Sequence, residues 1–192
     1  PTVRPLNTKR KLTMRLLIAS LLLTFTSYSW SADPLADAVA AIDADVVFMR
    51  HALAPGFGDP DRFQVNDCAT QRNLDAQGRA QATALGQRLA QSKLTFSEIL
   101  SSEWCRCKET AERLNLGPWQ TFSGLNSFFQ GYADAKKTLP ALEKRLQARK
   151  PGVTLMVSHQ VVISRITGLS VGVGDMVVFN SQTKQAQRLS LP

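Results

Sequence analysis

The stretch Asp45-Val46-Val47-Phe48-Met49-Arg50-His51 decides the fold. Residues 45–49 form a short, mostly apolar run of the kind found in strands buried on both faces. The run ends abruptly in Arg50-His51, which puts two polar side chains at the strand's carboxyl end. The same pattern returns twice downstream. Residues 96–100 make a second candidate strand that ends in Ser101-Ser102, and residues 153–157 make a third that ends in Ser158-His159.

Helical segments lie between these strands. Asp75 is placed to cap a helix over residues 76–91, in which Ala82, Leu85 and Leu89 are spaced for one buried face. Ser102 is placed to cap another helix, running to residue 114. Residues 139–148 read as an amphipathic helix, with Leu142 and Leu146 four apart amid charge, and Pro151-Gly152 stops it. Residues 161–169 have a helical pattern, and residues 34–42 are a short Ala-rich helical lead-in. Residues 176–179 and 186–191 are expected as closing strands. Residues 52–73, with Pro55, Gly56, Gly58 and Pro60, form a long irregular connection of a kind that is usually functional or disordered. Residues 117–132 are aromatic and Gly-containing without clear periodicity. Strands alternating with helices imply an α/β fold whose largely parallel sheet is covered on both faces.

Composition agrees with one domain. The 192 residues are 44% hydrophobic and 20% charged, enough for a normal core and unlike a disordered or collagenous chain. The net charge of +8 suggests nucleic acid at first sight. However, Arg4, Lys9, Arg10, Lys11 and Arg15 all lie in residues 1–31, which hold no acid, and the rest of the chain has 18 basic against 15 acidic residues. Nucleic acid is therefore not expected as a partner.

That basic start has a reading of its own. Met14 and Arg15 precede a mostly apolar run over residues 16–25, and a Ser-rich stretch over residues 26–32 follows. This is the layout of a secretory signal peptide, with Met14 as the start and cleavage after Ser31. The apolar run is too short to span a bilayer, so no stable membrane span is expected after cleavage. The expected organisation is residues 1–31 as upstream residues plus signal peptide and residues 32–192 as one domain, periplasmic or secreted. An oxidising compartment permits disulfides. Cys105 and Cys107 are two apart and point to different sides of a helix, so Cys68 is expected to pair with one of them, leaving one thiol free. A zinc site is the competing use of these cysteines, but there is no second cysteine pair to complete it.

The chemistry gathers at the strand ends. His51 and His159 are the two histidines of the chain, and each follows an apolar strand. Ligands bind at the carboxyl ends of parallel strands, so the two imidazoles are expected to meet in one crevice. Arg50 adjoins His51, and Arg106 lies in the first turn of the helix after the second strand. Two arginines and two imidazoles suit a phosphoryl group, since the guanidinium fork matches its oxygens and a neutral imidazole can attack phosphorus. The sequence Gly168-Leu169-Ser170-Val171-Gly172 fits a serine-hydrolase pattern, but no histidine follows His159 to complete it. P-loop, metalloprotease-helix and dinucleotide motifs are absent, so no metal and no nucleotide cofactor are expected.

Four segments together carry a resemblance. Arg50-His51, Leu74-Asp75-Ala76-Gln77-Gly78-Arg79-Ala80-Gln81-Ala82, Ser101-Ser102 with Arg106 and Thr110-Ala111, and Ser158-His159 resemble the histidine phosphatase superfamily, in the branch of the phosphoglycerate mutases. The resemblance covers residues 45–179. It implies a three-layer sandwich with a mostly parallel central sheet, like that of phosphoglycerate mutase. It implies further that His51 is the phosphorylated nucleophile and that Arg50, Arg106 and His159 form the phosphate pocket. Arg72, in the loop ahead of the first capped helix, and Asn126 and Gln160 are expected to face the substrate. The walls are expected from residues 55–68 and 126–132.

Three departures stand out. Ala52 replaces the usual glycine after Arg-His, and Gln160 replaces the aspartate of the acid phosphatase branch. No glutamate occurs in residues 124–129, where the family's acid is usually found. Asp175, just before a closing strand, is the first candidate to replace it, followed by Asp134 and the loop acids Asp59 and Asp61. The implied activity is hydrolysis of a phosphomonoester of a small molecule through a phosphohistidine. The chain is similar to an exported group associated with heptose phosphates of the lipopolysaccharide core. Two alternatives stand beside it: a catalytically weak phosphate-ligand binding protein of the same fold, and a phosphomutase.

Overall fold

The computed structural model describes residue 2 and residues 33–191. The signal-peptide expectation for residues 1–31 lies outside the described residues. Six strands form one mixed sheet: β1 (Val46–Arg50), β2 (Phe96–Ser101), β3 (Gln120–Thr121), β4 (Val153–Ser158), β5 (Met176–Phe179) and β6 (Ala186–Leu189). Their order is β3-β2-β4-β1-β5-β6. The first four of that order run parallel, while β5 pairs antiparallel with both β1 and β6. Five α-helices connect them: α1 (Pro34–Ala41), α2 (Ala76–Gln91), α3 (Cys105–Leu114), α4 (Ala135–Gln147) and α5 (Gln160–Thr167).

Alternation along the strands creates two cores. Val47 and Met49 of β1 point to one face, where Leu155, Val157 and Val178 meet Leu35 of α1, Leu85 and Leu89 of α2, and Ala111 and Leu114 of α3. Val46 and Phe48 point to the other, against Met156, Val177, Phe179, Leu142 and Leu146 of α4, and Val162 and Ile163 of α5. Every residue of β4 is buried, which fits its mostly apolar sequence. The result is the expected α/β three-layer sandwich. Of the two closing strands at one edge, β5 runs against the rest, and β6, antiparallel to β5, runs with them.

Some boundaries differ from the sequence expectation for identifiable reasons. Asp75 does cap α2, accepting from the Gly78 N–H at 2.7 Å. Ser102 does not cap α3, which starts at Cys105 with Trp104 at its cap position. The Ser102 hydroxyl is used elsewhere, as described below, and the Cys105 N–H donates to Gln71 Oε1. Helix α4 begins earlier than expected because Asp134 caps it, accepting from the Lys136 N–H at 2.8 Å. Among the described residues no helix is long and apolar enough to cross a membrane.

Candidate active site

The strand order places β4 between β1 and β2, all three pointing the same way. Their carboxyl ends therefore deliver Arg50-His51, Ser101-Ser102 and Ser158-His159 to one edge of the sheet. The imidazoles of His51 and His159 lie 5.4 Å apart, centroid to centroid, although 108 positions separate them in sequence. A cleft of about 350 Å³ opens there. Arg50, His51, Arg72, Arg106, His159 and Gln160 line it, with parts of residues 53–58 and with Ser127 and Phe129. Six of the residues expected from the sequence are thus brought together.

Hydrogen bonds fix the orientation of His51. His51 Nδ1 is 2.8 Å from the carbonyl oxygen of Ala52, so this nitrogen carries the proton and donates it. The lone pair then resides on Nε2, which accepts from Arg106 Nε at 3.2 Å. The Ala52 N–H donates in turn to Thr110 Oγ1, which donates to the Arg106 carbonyl and ties the strand end to α3. Burial, and then the charges of Arg106, Arg50 and Arg72, push the His51 pKa well below its ordinary value. His51 is therefore a neutral imidazole with an available lone pair at neutral pH.

His159 is held by a relay. Asn126 Oδ1 accepts from the Glu103 N–H at 2.9 Å and from the Ser102 hydroxyl at 3.1 Å, while its amide nitrogen donates to the Glu103 carboxylate. Ser102 has spent its proton on Asn126, so its oxygen accepts from His159 Nε2, 2.9 Å away. His159 Nδ1 consequently turns its lone pair toward Arg106, whose Nη2 is 3.5 Å distant. Burial and the Arg106 charge lower the His159 pKa as well.

The arginines divide the work. Arg106 is buried and forks onto Asp59, with Nη1 to Oδ1 at 2.8 Å and Nη2 to Oδ2 at 3.0 Å. That contact occupies the outer edge of the guanidinium and leaves the Nε side toward the two histidines. Arg50 donates through Nη1 to Gln160 Oε1 and to the Val171 carbonyl. Its Nε is a buried N–H without a partner, and such a donor is costly unless an acceptor arrives. Arg72 lines the cleft while its Nε and Nη1 donate to the carbonyls of Gly58 and Ala54. Three guanidinium charges against one carboxylate leave the site cationic, suited to a dianionic phosphoryl group.

One expected substrate contact, Asn126, and the expected acid, Asp175, are corrected. Asn126 is buried behind His159 and does not line the cleft, because Ser102 and Glu103 use both ends of its amide. Asp175 does not line the cleft either. Its backbone carbonyl accepts from the Arg50 N–H, while its carboxylate accepts from the Gly172 N–H and pairs with Arg188 on β6, both at 2.8 Å. Burial opposes its charge, but the Gly172, Ser190 and Arg188 contacts outweigh burial and lower its pKa, the wrong direction for a proton donor. Asp134 caps α4, Asp61 is exposed, and Asp59 is locked to Arg106. Among the described residues no Asp or Glu side chain lines the cleft.

Asp59 is the residue whose role the sequence did not show. Its carboxylate also accepts from Trp104 Nε1 at 3.0 Å and from the Arg72 N–H at 3.0 Å. Burial works against its charge, yet the Arg106 hydrogen bonds and charge hold the carboxyl below its usual value. A covalent tie supports the same loop: Cys68 is bonded to Cys105, with 5.7 Å between Cα atoms. Of the two partners left open by the sequence, Cys105 is the one that faces the loop. Cys107 points inward as a free thiol 3.4 Å from His159 Nε2, and burial pushes its pKa up to about 12. No group of three or more His, Cys, Asp or Glu side chains among the described residues is placed to hold a metal ion.

Comparison with known proteins bears on this geometry. The model of the histidine phosphatase superfamily (branch 1) matches residues 46–134, which span β1 with His51, α2, β2 and α3 with Arg106. That stretch of the chain is similar to the superfamily, and the match stops short of β4 and His159. Solved structures share the fold at low sequence identity. The protein histidine phosphatase SixA complexed with tungstate superposes with a TM-score of 0.52 at 16% identity, over 76% of this chain and 94% of its own. A putative alpha-ribazole-5'-P phosphatase from Escherichia coli str. K-12 substr. MG1655 gives 0.52 at 19% identity, over 76% and 95%. TTHB049 from Thermus thermophilus gives 0.52 at 17% identity, over 76% and 99%. No curated protein sequence matches.

The lowered His51 pKa has a measurable sign. If His51 is the nucleophile that the sequence resemblance implies, its attack on a phosphomonoester should stay level in rate between pH 8 and pH 6, once the ester's own second ionisation near pH 6 is allowed for. An enzyme limb with its midpoint near 6.5 in a kcat/KM profile would show an ordinary His51. Stability moves in the other sense. The unfolded histidines take up protons near pH 6.5 and the folded ones do not, so stability falls as the pH drops below that value.

Proposed function

We propose that the protein is an exported phosphoric monoester hydrolase that passes the phosphoryl group of a small molecule through His51 to water. The observation that carries this is the oriented lone pair of His51 Nε2, with its opposite nitrogen tied to Ala52 and the Arg50, Arg72 and Arg106 guanidiniums around it. The names of the structural relatives, a protein histidine phosphatase and a putative alpha-ribazole-5'-P phosphatase, agree with phosphatase chemistry. The Cys68–Cys105 bond supports export, because such bonds persist in oxidising compartments.

The geometry lends itself to two displacements. In the first, the Nε2 pair forms a bond to phosphorus and the ester P–O bond breaks, its electrons leaving on the alcohol oxygen. The Nδ1 proton stays hydrogen-bonded to the Ala52 carbonyl throughout. In the second, water attacks phosphorus, the P–N electrons return to Nε2, and inorganic phosphate leaves. Arg50 Nε, the unpartnered donor, and the Nε side of Arg106 are placed to receive phosphoryl oxygens in both steps.

A cleft without a carboxylate favours the second reading, a phosphate-binding protein with slow turnover. One experiment separates them. Protein recovered from the periplasm, whose amino terminus should read Ala32, is mixed with a phosphorus-labelled ester and quenched in alkaline denaturant, since a phosphoryl-imidazole bond is acid-labile. Label should appear on the protein and then disappear as free phosphate. Tight phosphate binding with no labelled protein supports the binding module instead. Label that passes only to an added alcohol or sugar phosphate would make the protein a mutase. A heptose phosphate of the lipopolysaccharide core, the substrate that the sequence resemblance implies, belongs in the ester panel beside aryl and glycerol phosphates.

A further inference from the structure

The outer wall of the cleft is apolar. Phe57 and Phe129 are the exposed large hydrophobic side chains among the described residues, 87% and 39% exposed, and both line the cleft. Their rings meet edge to face with centroids 5.2 Å apart. Leu53, Pro55, Val161 and Val173 continue the apolar wall.

The backbone is bent to present these rings. Phe57 stands between Gly56 and Gly58, whose φ values of 91° and 68° favour glycine. Phe129 precedes Gln130, a non-glycine residue at φ 60°. The Gln130 side chain accepts from the Asp59 N–H at 2.8 Å and so ties the two phenyl-bearing segments together. Two large apolar rings held exposed on a cleft wall are the kind of surface that meets a ligand.

A second, independent observation concerns the leaving group. With no Asp or Glu side chain among the described residues lining the cleft, the departing oxygen leaves as an anion or takes its proton from water. A phenol ionises near pH 10, as tyrosine does, whereas an alkyl alcohol resists ionisation about as strongly as water does. An aryloxide can leave unassisted where an alkoxide cannot.

We infer that the cleft selects phosphomonoesters of aromatic alcohols, with Phe57 and Phe129 packed on the ring. This rests on the phosphomonoesterase reading above. The His51 Nε2 lone pair forms the P–N bond and the P–O bond to the ring oxygen breaks. The electron pair departs on the aryloxide, which takes a proton from water, and the hydroxide so formed balances the later release of hydrogen phosphate.

The test measures kcat/KM for 2-naphthyl phosphate, acetyl phosphate, glycerol 2-phosphate and the heptose phosphate, in wild type, Phe57→Ala and Phe129→Ala. Acetyl phosphate has a good leaving group and no ring, so it separates ring recognition from leaving ability. The ratio of naphthyl to acetyl phosphate should be at least about tenfold in wild type and fall about tenfold in each variant, mainly through KM. An unchanged ratio in both variants, equal values in wild type, or a preference for the heptose phosphate overturns the inference while leaving the phosphoenzyme intact. If no ester labels His51, the phosphomonoesterase reading fails and this one falls with it.

Discussion

Replacing His51 by alanine should lower turnover of 4-nitrophenyl phosphate by at least about 10⁴-fold, the scale of loss when a covalent nucleophile is removed. Vanadate and phosphate should still bind, because Arg50, Arg106 and His159 remain around the cleft. Loss of the imidazole even frees the Nε of Arg106, which donates to it. Steady-state kinetics and calorimetric titration with vanadate check the two halves separately. Turnover retained in this variant sinks the assignment of the nucleophile; loss of both turnover and binding points to a collapsed site.

Asp59→Ala should be the most disruptive change outside the two histidines. It removes a buried carboxylate that grips both ends of the Arg106 fork, with both side chains 4% exposed. Breaking a buried pair by deleting one partner costs about 3–5 kcal/mol, since the other charge is left stranded. For a domain of this size that lowers Tm by roughly 10 °C. Turnover should fall by about two orders of magnitude, the scale attached to one misplaced positioning group. A companion double variant, Asp59→Ala with Arg106→Met, should recover much of the stability and none of the activity, because no stranded charge remains. Thermal denaturation and kinetics on all three proteins give the answer. An Asp59→Ala protein as stable and active as wild type would remove Asp59 from any role in positioning Arg106.

How much of this was legible in the sequence follows from the range of the forces involved. The β1 and β4 runs, with Arg50-His51 and Ser158-His159 behind them, are local patterns. One topological rule, that parallel strands present their carboxyl ends together, brings them into a single cleft. The relation of Asp59 to Arg106 obeys no such rule. It spans 47 positions and depends on the path of an irregular loop without hydrophobic period. Asp175 was misplaced for a similar reason. Its backbone does reach the Arg50 strand end, but its carboxylate is captured by Arg188, and only the antiparallel pairing of β5 with β6 brings that residue near. Ser102 looked like a helix cap because hydroxyls usually serve there, whereas its proton goes to Asn126, 24 positions away. The choice of Cys105 over Cys107 turned on the starting point of α3, which a cap at Ser102 would have set too early.

The Cys68–Cys105 bond gives the site an order of assembly. It closes a 37-residue separation and joins the loop that carries Asp59 to the first residue of the helix that carries Arg106. The sheet and its two cores are packed from apolar side chains that include neither Cys68 nor Cys105. The clasp on Arg106 gains its covalent brace only on oxidation. On the proposed route of export, a chain still inside the cell would carry an unfinished site, and the compartment that receives it would complete the enzyme. Latency before delivery would then come from the chemistry of one bond, with no inhibitor or propeptide needed to keep the enzyme from phosphate esters at its place of synthesis.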